Sequence, residues 1–269
     1  MKSKLREIWD KRAEVHAARQ MCQTQDRFTD LYNQAWWGYI NECLPEKPGE
    51  KILEAGCGTS RWAERLAPLG FEIVLSDISP VMLQKAREYA EKNDFAENLS
   101  FEELDVRDMY SLKDGEFHMV VSTGEAVTLC GAPEEAISEF CRVTRPGGYV
   151  LCDAGNRYRR AYDFFRKGEF DRIMPVLKTG YYEPKEGPGH YLLGPGELKN
   201  ILEERDMEVV HLAGVTPFFS FPPDRELKNG LNQDAFYSDM QELDSDFAEH
   251  PDILSLSSRL LAVARKPAA

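Results

Sequence analysis

The stretch Lys51-Ile-Leu-Glu-Ala-Gly-Cys-Gly-Thr-Ser60 constrains this chain more than any other. An apolar run ends at Leu53, an acid stands next at Glu54, and small residues occupy Gly56, Gly58 and Ser60 ahead of a helical pattern over 61–69. The pattern predicts a strand that turns tightly into a helix. Glycine in such a turn permits positive φ and lets the backbone approach a ligand closely. The helix start behind it offers free N–H groups, so a small, partly polar ligand is expected on the turn. A dinucleotide fingerprint, Gly-x-Gly-x-x-Gly, would need its third glycine at position 61. Arg61 stands there, and its side chain would obstruct close packing of helix on strand.

From residue 72 onward the chain keeps one rhythm. Residues 72–77 read as a second strand ending in Asp77, and a carboxylate at that tip can accept hydrogen bonds from both hydroxyls of a ribose. Ser79 and Pro80 then open a helix to about Lys92, in the favoured order of cap and first turn. A third strand over 99–104 leads into Asp105-Val-Arg-Asp108. A fourth over 116–122 leads into Thr123-Gly-Glu125. A helix over 133–143 precedes Arg145-Pro-Gly-Gly148 and a fifth strand through Cys152. Strands alternating with helices demand a parallel, doubly wound sheet.

In this order the motifs resemble those of the class I S-adenosylmethionine-dependent methyltransferases. Glu54-x-Gly-x-Gly-x-Ser60 is similar to their motif I, Asp77-Ile-Ser-Pro-Val-Met-Leu83 to the segment after the second strand, and Arg145-Pro-Gly-Gly148 to the turn before the fifth. His118 departs from the Asp common in the family at the start of the fourth strand, a structural position. The resemblance spans roughly 50–154 and 192–266. It implies an α/β fold with a doubly wound, seven-stranded, mostly parallel Rossmann-like sheet, a last strand that pairs antiparallel, N-terminal helices and a helical lid insertion. One domain over 1–269 is expected. Its parts are a helical cap (1–48), a cofactor-binding core (49–154), a lid (155–191) and the rest of the sheet (192–269) with a second insertion over 216–256.

The resemblance also implies the cofactor, S-adenosylmethionine, with S-adenosylhomocysteine as product. The residues it points to are Glu54, Ala55, Gly56, Cys57, Gly58 and Ser60 on the first turn, and Asp77 at the ribose. Ile78 and Met82 would flank the adenine. Asp105 would reach the adenine amino group, with the Val106 N–H beside it and Asp108 as runner-up for the acid. Ser122 and Thr123 would lie near the methionine part, and Trp36 on the covering helices.

The acceptor is less constrained. Between 153 and 193 the chain becomes basic and aromatic, so an acceptor with an anionic group, held by Arg157 or Arg160, is one expectation. His190 is the first candidate for a general base, with Asp153, Glu125 and His211 behind it; no metal is expected to take part. A small-molecule acceptor is the leading reading. A protein or RNA acceptor, or a nucleoside-binding protein that transfers nothing, are the alternatives. A formal net charge of −13 opposes a broad phosphate-backbone footprint, which needs a basic face. No Asn-Pro-Pro-Tyr-like tetrad comes after the fourth strand; Ser-Thr-Gly-Glu stands there. Six cysteines form no Cys-x-x-Cys pair, so reduced thiols are expected. Ahead of the first strand, helices are expected over 3–22 and 25–44, the second capped by Thr24. No apolar run is long enough to span a bilayer and the first residues lack a signal-peptide pattern, so the expected location is the cytoplasm.

Overall fold

The computed structural model describes residues 2–23, 27–218 and 225–268. Thr24, Phe219 and Phe221 lie outside the described residues, as do the side chains of Met21 and Cys22. Two helices, α1 (Lys2–Gln23) and α2 (Arg27–Glu42), precede the sheet. The core then runs β1 (Lys51–Ala55), α3 (Ala63–Leu66), β2 (Glu72–Asp77), α4 (Pro80–Lys92), β3 (Leu99–Glu103), β4 (Phe117–Ser122), α5 (Ala126–Leu129), α6 (Pro133–Val143) and β5 (Thr144–Gly155). The segment after β5 contains α7 (Arg157–Arg166), α8 (Ile173–Thr179) and a small antiparallel ribbon of β6 (Tyr181–Tyr182) and β7 (His190–Tyr191). The chain closes with α9 (Pro195–Glu203), β8 (Glu208–Val215), α10 (Arg225–Leu231), α11 (Asp234–Phe247) and β9 (Arg259–Arg265).

Seven strands form one sheet in the order β3-β2-β1-β4-β5-β9-β8. Only β9 runs against its neighbours, pairing antiparallel with both β5 and β8. Along β1 and β4 successive apolar side chains go to opposite faces, as the period of a strand requires. Leu53 and Val120 join one core with α6 and α9 (Phe140, Leu198), while Ile52, Met119 and Val121 join the other with α2, α3 and α4 (Trp36, Leu66, Ala86). Both faces are therefore covered, which explains the near-continuous hydrophobic runs of these strands.

Three local features differ from the expected pattern. The helix after β1 is cut short, because Pro68 turns its end into a single 3-10 turn over Ala67–Leu69. A four-residue helix, α5, comes directly after β4. Arg145-Pro-Gly-Gly148 is a bulge in β5, where the register with β4 jumps between Phe117 and Met119. A side chain at Gly148 would lie 2.5 Å from the carbonyl oxygen of His118, so the signature marks a backbone contact. His118 itself is structural. Its Nε2 lies 3.2 Å from the Cys43 carbonyl oxygen and its Nδ1 lies 2.7 Å from the Arg145 guanidinium.

The helix α1 lies along α4, fastened by Asp10 to Ser79 (2.5 Å), Arg6 to Glu103 (2.7 Å) and Lys85 to Glu14 (2.9 Å). Its Arg12 also lies against Gly187, where a side chain would come within 2.8 Å of the guanidinium. The N-terminal helix and the segment after β5 therefore meet over the carboxyl ends of the parallel strands. Among the described residues no helix is long and apolar enough to cross a membrane.

Candidate functional site

The turn after β1 is held by two buried acids. Glu54 accepts the Ser60 hydroxyl proton (2.8 Å) and the Arg61 backbone N–H (3.0 Å). Burial pushes its carboxyl above the ordinary range and these donors pull it back. The first bond explains how a serine tolerates φ of 63° at position 60, where a side chain without a local hydrogen bond would be strained. The glycines do different work. At Gly56 (φ 67°) a side chain would strike the Ala126 methyl at 2.7 Å, so α5 packs directly on the turn. At Gly58 (φ 56°) it would meet nothing within 4 Å, which leaves open space over the turn.

Asp77 closes the turn from β2. Its Oδ2 accepts the Gly58 N–H (2.8 Å) and its Oδ1 the Ser79 N–H (2.9 Å). A carboxylate has about four lone-pair sites, so Asp77 is fixed and still able to accept. Burial pushes Asp77 up to about 6; the Ser79 and Gly58 donors lower it, and Asp10 nearby raises it further. Ser79 caps α4 by accepting the Met82 N–H. Asp105 is also buried, and Arg107 grips both its oxygens at 2.8 and 2.6 Å.

These groups line a cavity of about 310 Å³ across the carboxyl ends of β1 to β4, within the usual size of a small-ligand site. Of the residues expected from the sequence, Gly56, Cys57, Gly58, Ser60, Asp77, Ile78, Met82, Asp105, Val106 and Thr123 are on its wall. Burial pushes the Cys57 thiol far up, so it stays protonated. Trp36, Glu54, Ala55 and Ser122 are not on the wall. Trp36 is fully buried in the core under α2, because the apolar stripe of that helix turns to the sheet. Glu54 faces back into the turn that it holds. Ala55 and Ser122 are strand residues with no exposure or almost none.

The chain that builds this cavity is similar in sequence and fold to known proteins. Residues 52–148 match a methyltransferase domain family. The chain is 26% identical over 178 residues, 66% of its length and 68% of the relative's, to a ubiquinone biosynthesis O-methyltransferase of Alkalilimnicola ehrlichii. It is 23% identical, with 86% of each chain covered, to a tRNA 5-carboxymethoxyuridine methyltransferase of Escherichia coli. A SAM-dependent methyltransferase of Methanosarcina mazei superposes with a TM-score of 0.60 at 16% identity, covering 86% of this chain and 98% of that one. Residues 52–148 carry a methyltransferase domain, and the chain is an S-adenosylmethionine-dependent methyltransferase. Its cofactor is S-adenosylmethionine, and the fixed Asp77 carboxylate with open space above Gly58 fits a nucleoside there.

In this methyltransferase several wall residues carried no motif. Trp9 and His16 come from α1, Asn33 from α2, Arg61 from the turn and Arg259 from the start of β9. Thr123 is pinned by the Trp62 indole N–H, which donates to its hydroxyl (3.1 Å). Arg259 donates to the Tyr32 hydroxyl (2.7 Å) and lies 3.6 Å from both Glu125 and Asp153. Burial opposes its charge, but the oxygens of Tyr32, Glu125 and Asp153 hold it above the usual guanidinium range. Burial pushes Asp153 up to about 6, and it accepts the N–H groups of Gly124 (3.1 Å) and Glu125 (2.7 Å). It thus fixes the loop in which Glu125 adopts φ of 68°.

The candidates after β5 separate clearly. Arg157 is tied to Glu197 (2.7 Å) and to the carbonyls of Leu192 and Leu177, so it braces the segment and faces away from the cofactor cavity. Arg160 stacks 5.0 Å over the Tyr182 ring and forms no ion pair among the described residues. His190 is not on the cavity wall. Its Nδ1 is 3.1 Å from the Tyr182 hydroxyl, and it feels Glu125, Arg160 and Arg12. Burial holds it below the ordinary imidazole range. His211 lies on β8 between Glu42 (3.3 Å) and Glu249 (2.8 Å), also off the wall.

Proposed function

We propose that this methyltransferase acts on a small, anionic acceptor that enters between α1 and a lid formed by residues 155–191. The observation that carries this reading is Arg160. In a protein of net charge −13, a partly buried guanidinium with no ion-pair partner among the described residues is a charge waiting for an anion, and its stacking on Tyr182 pre-orients the fork that binds one. Arg12 and His190 lie in the same electrostatic neighbourhood. We also assign the site roles. Asp77 takes the ribose hydroxyls, Ile78 and Met82 flank the adenine, and Asp105 with the Val106 N–H faces its polar edge. The Gly56–Ser60 turn and Thr123 lie along the methionine part.

The bound cofactor supplies a methyl group already activated on a sulfonium. The chain's task is placement, because holding the acceptor atom in line with the methyl removes much of the entropic barrier, up to about 7–11 kcal/mol in favourable cases. An acceptor that must lose a proton needs a base, typically worth about 10²–10⁴-fold. We assign His190 to that task. Kept neutral by burial, it can donate its Nδ1–H to the Tyr182 oxygen and present the Nε2 lone pair. Asp153, sealed beneath Arg259, and His211, bound between two glutamates, are poorly placed for it.

The test is S-adenosylhomocysteine release with a panel of small organic anions, their neutral esters, and bulk tRNA. Turnover on anions, with KM raised by Arg160→Met, supports the reading. Turnover on tRNA alone, or indifference to Arg160→Met, refutes it. His190→Asn is expected to leave cofactor binding intact and lower kcat.

A further inference from the structure

Among the described residues the cavity wall holds two arginines, Arg61 and Arg259, and their surroundings differ. Arg259 is matched by Glu125, Asp153 and Tyr32. Arg61 has no carboxylate within ion-pair distance among the described residues. Its guanidinium lies 3.3 Å from Asn33 Oδ1 and 5.2 Å over the Tyr32 ring. Two neighbouring acids are otherwise occupied. Glu64 on the same wall accepts the Tyr89 hydroxyl proton (2.8 Å), and Glu54 takes the backbone N–H of Arg61 rather than its side chain. A single oxygen and a ring face fix a guanidinium while leaving most of its five donors free.

The position of this free fork is informative. Asp77 and Ile78 stand at the β2 side of the cavity; Arg61, Asn33 and Thr123 stand at the side of α2 and β4. The two ends of the cofactor make different demands. Its adenosine ends in neutral hydroxyls and a base, while its methionine part carries a carboxylate that loses water on binding. A carboxylate placed in a partly closed cavity needs a charged, preferably bidentate, partner. Arg61 is the wall arginine with capacity to spare.

We propose that Arg61, steadied by Asn33 and Tyr32, binds the carboxylate of the cofactor's methionine part. This rests on the placement of adenosine at Asp77. The residue that breaks the dinucleotide pattern thereby becomes a reader of the amino-acid end of the ligand, and separates S-adenosylmethionine from adenosines that lack that end.

Calorimetric titration of the full chain with S-adenosylhomocysteine and with methylthioadenosine tests this. The second ligand keeps the adenosine and sulfur but has no carboxylate. Arg61→Met is expected to weaken S-adenosylhomocysteine by about 10- to 100-fold, the loss of one charge-assisted pair, and to leave methylthioadenosine within about twofold. Arg61→Lys should fall between, and Asn33→Ala should weaken S-adenosylhomocysteine alone by a smaller factor. Equal weakening of both ligands by Arg61→Met, or of neither, overturns the proposal. Asp77→Asn should weaken both ligands; if it weakens neither, the adenosine placement fails, whatever Arg61 does.

Discussion

Cofactor affinity should fall in mild acid, and the reason is Asp77. Its carboxyl is pushed up to about 6 by burial, despite the backbone donors of Ser79, Gly58 and Ile78. Only the ionised form offers all its lone pairs to a ribose. With a midpoint near 6, roughly nine-tenths is ionised at pH 7 and roughly one-tenth at pH 5, so apparent affinity drops about tenfold, or about 1.4 kcal/mol, across that interval. The same shift acts on stability with a definite sign. A folded-state value raised from 3.8 to about 6 means that the unliganded protein gains from protonation. That contribution is fully present below pH 3.8 and is lost as pH rises through 6, a cost of about 3 kcal/mol at neutral pH. Asp77→Asn removes this cost but offers an NH₂ where one backbone donor expects an oxygen. The assay is titration of S-adenosylhomocysteine at pH 5, 6, 7 and 8 for wild type and Asp77→Asn. The variant should bind weakly and without the acid slope. Asp10→Asn, which removes a charge that raises Asp77, should move the midpoint to lower pH. A flat wild-type profile, or a slope retained in Asp77→Asn, refutes the reasoning.

The same geometry sets other outcomes. Gly56→Ala combines positive φ with a 2.7 Å approach to Ala126, so it should abolish cofactor binding and lower the melting temperature in a thermal-shift assay. Arg259→Met strips the cation from Asp153 and Glu125 and should cost about 3–5 kcal/mol in urea denaturation, with part of the loss recovered by adding Asp153→Asn. Asp244 is buried and pushed up from 3.8 to about 7 by desolvation, so the stability its protonation lends is full below pH 3.8 and is lost as pH rises through 7. Asp244→Asn should stabilise the protein by about 1–3 kcal/mol at pH 8, read from the same denaturation curves.

What could be read from the sequence was local. Glycine turns, acids at strand tips and the order of strands and helices are short-range signals, and they led to Gly58, Asp77 and the parallel strands; the antiparallel β9 is expected from the family resemblance alone. What could not be read depends on where helices point. The apolar stripe of α2 pointed to Trp36 and passed over Asn33, and only packing turned Trp36 into the core and left Asn33 at the cavity. Trp9 and His16 depend on α1 lying against α4 through Asp10 and Ser79, partners far apart in the chain. Arg259 reaches the site because β9 runs antiparallel and so begins at the end where the parallel strands finish. The helix α5, at four residues, is too short to display a period. The ribbon of β6 and β7, at two residues each, is likewise hidden.

The place of β9 has a consequence for how the protein is made. It is the last of the seven strands to be translated, yet it sits inside the sheet between β5 and β8. A nascent chain that has reached β5 already contains Gly56, Asp77 and Thr123. But β8, once synthesised, has no edge to join until β9 arrives, and until then the edge of β5 stays open to wrong partners, a known hazard of late-completed sheets. Arg259 arrives with that strand. The glycine turn and Asp77 can therefore be in place before the strand that brings Arg259 to the cavity wall.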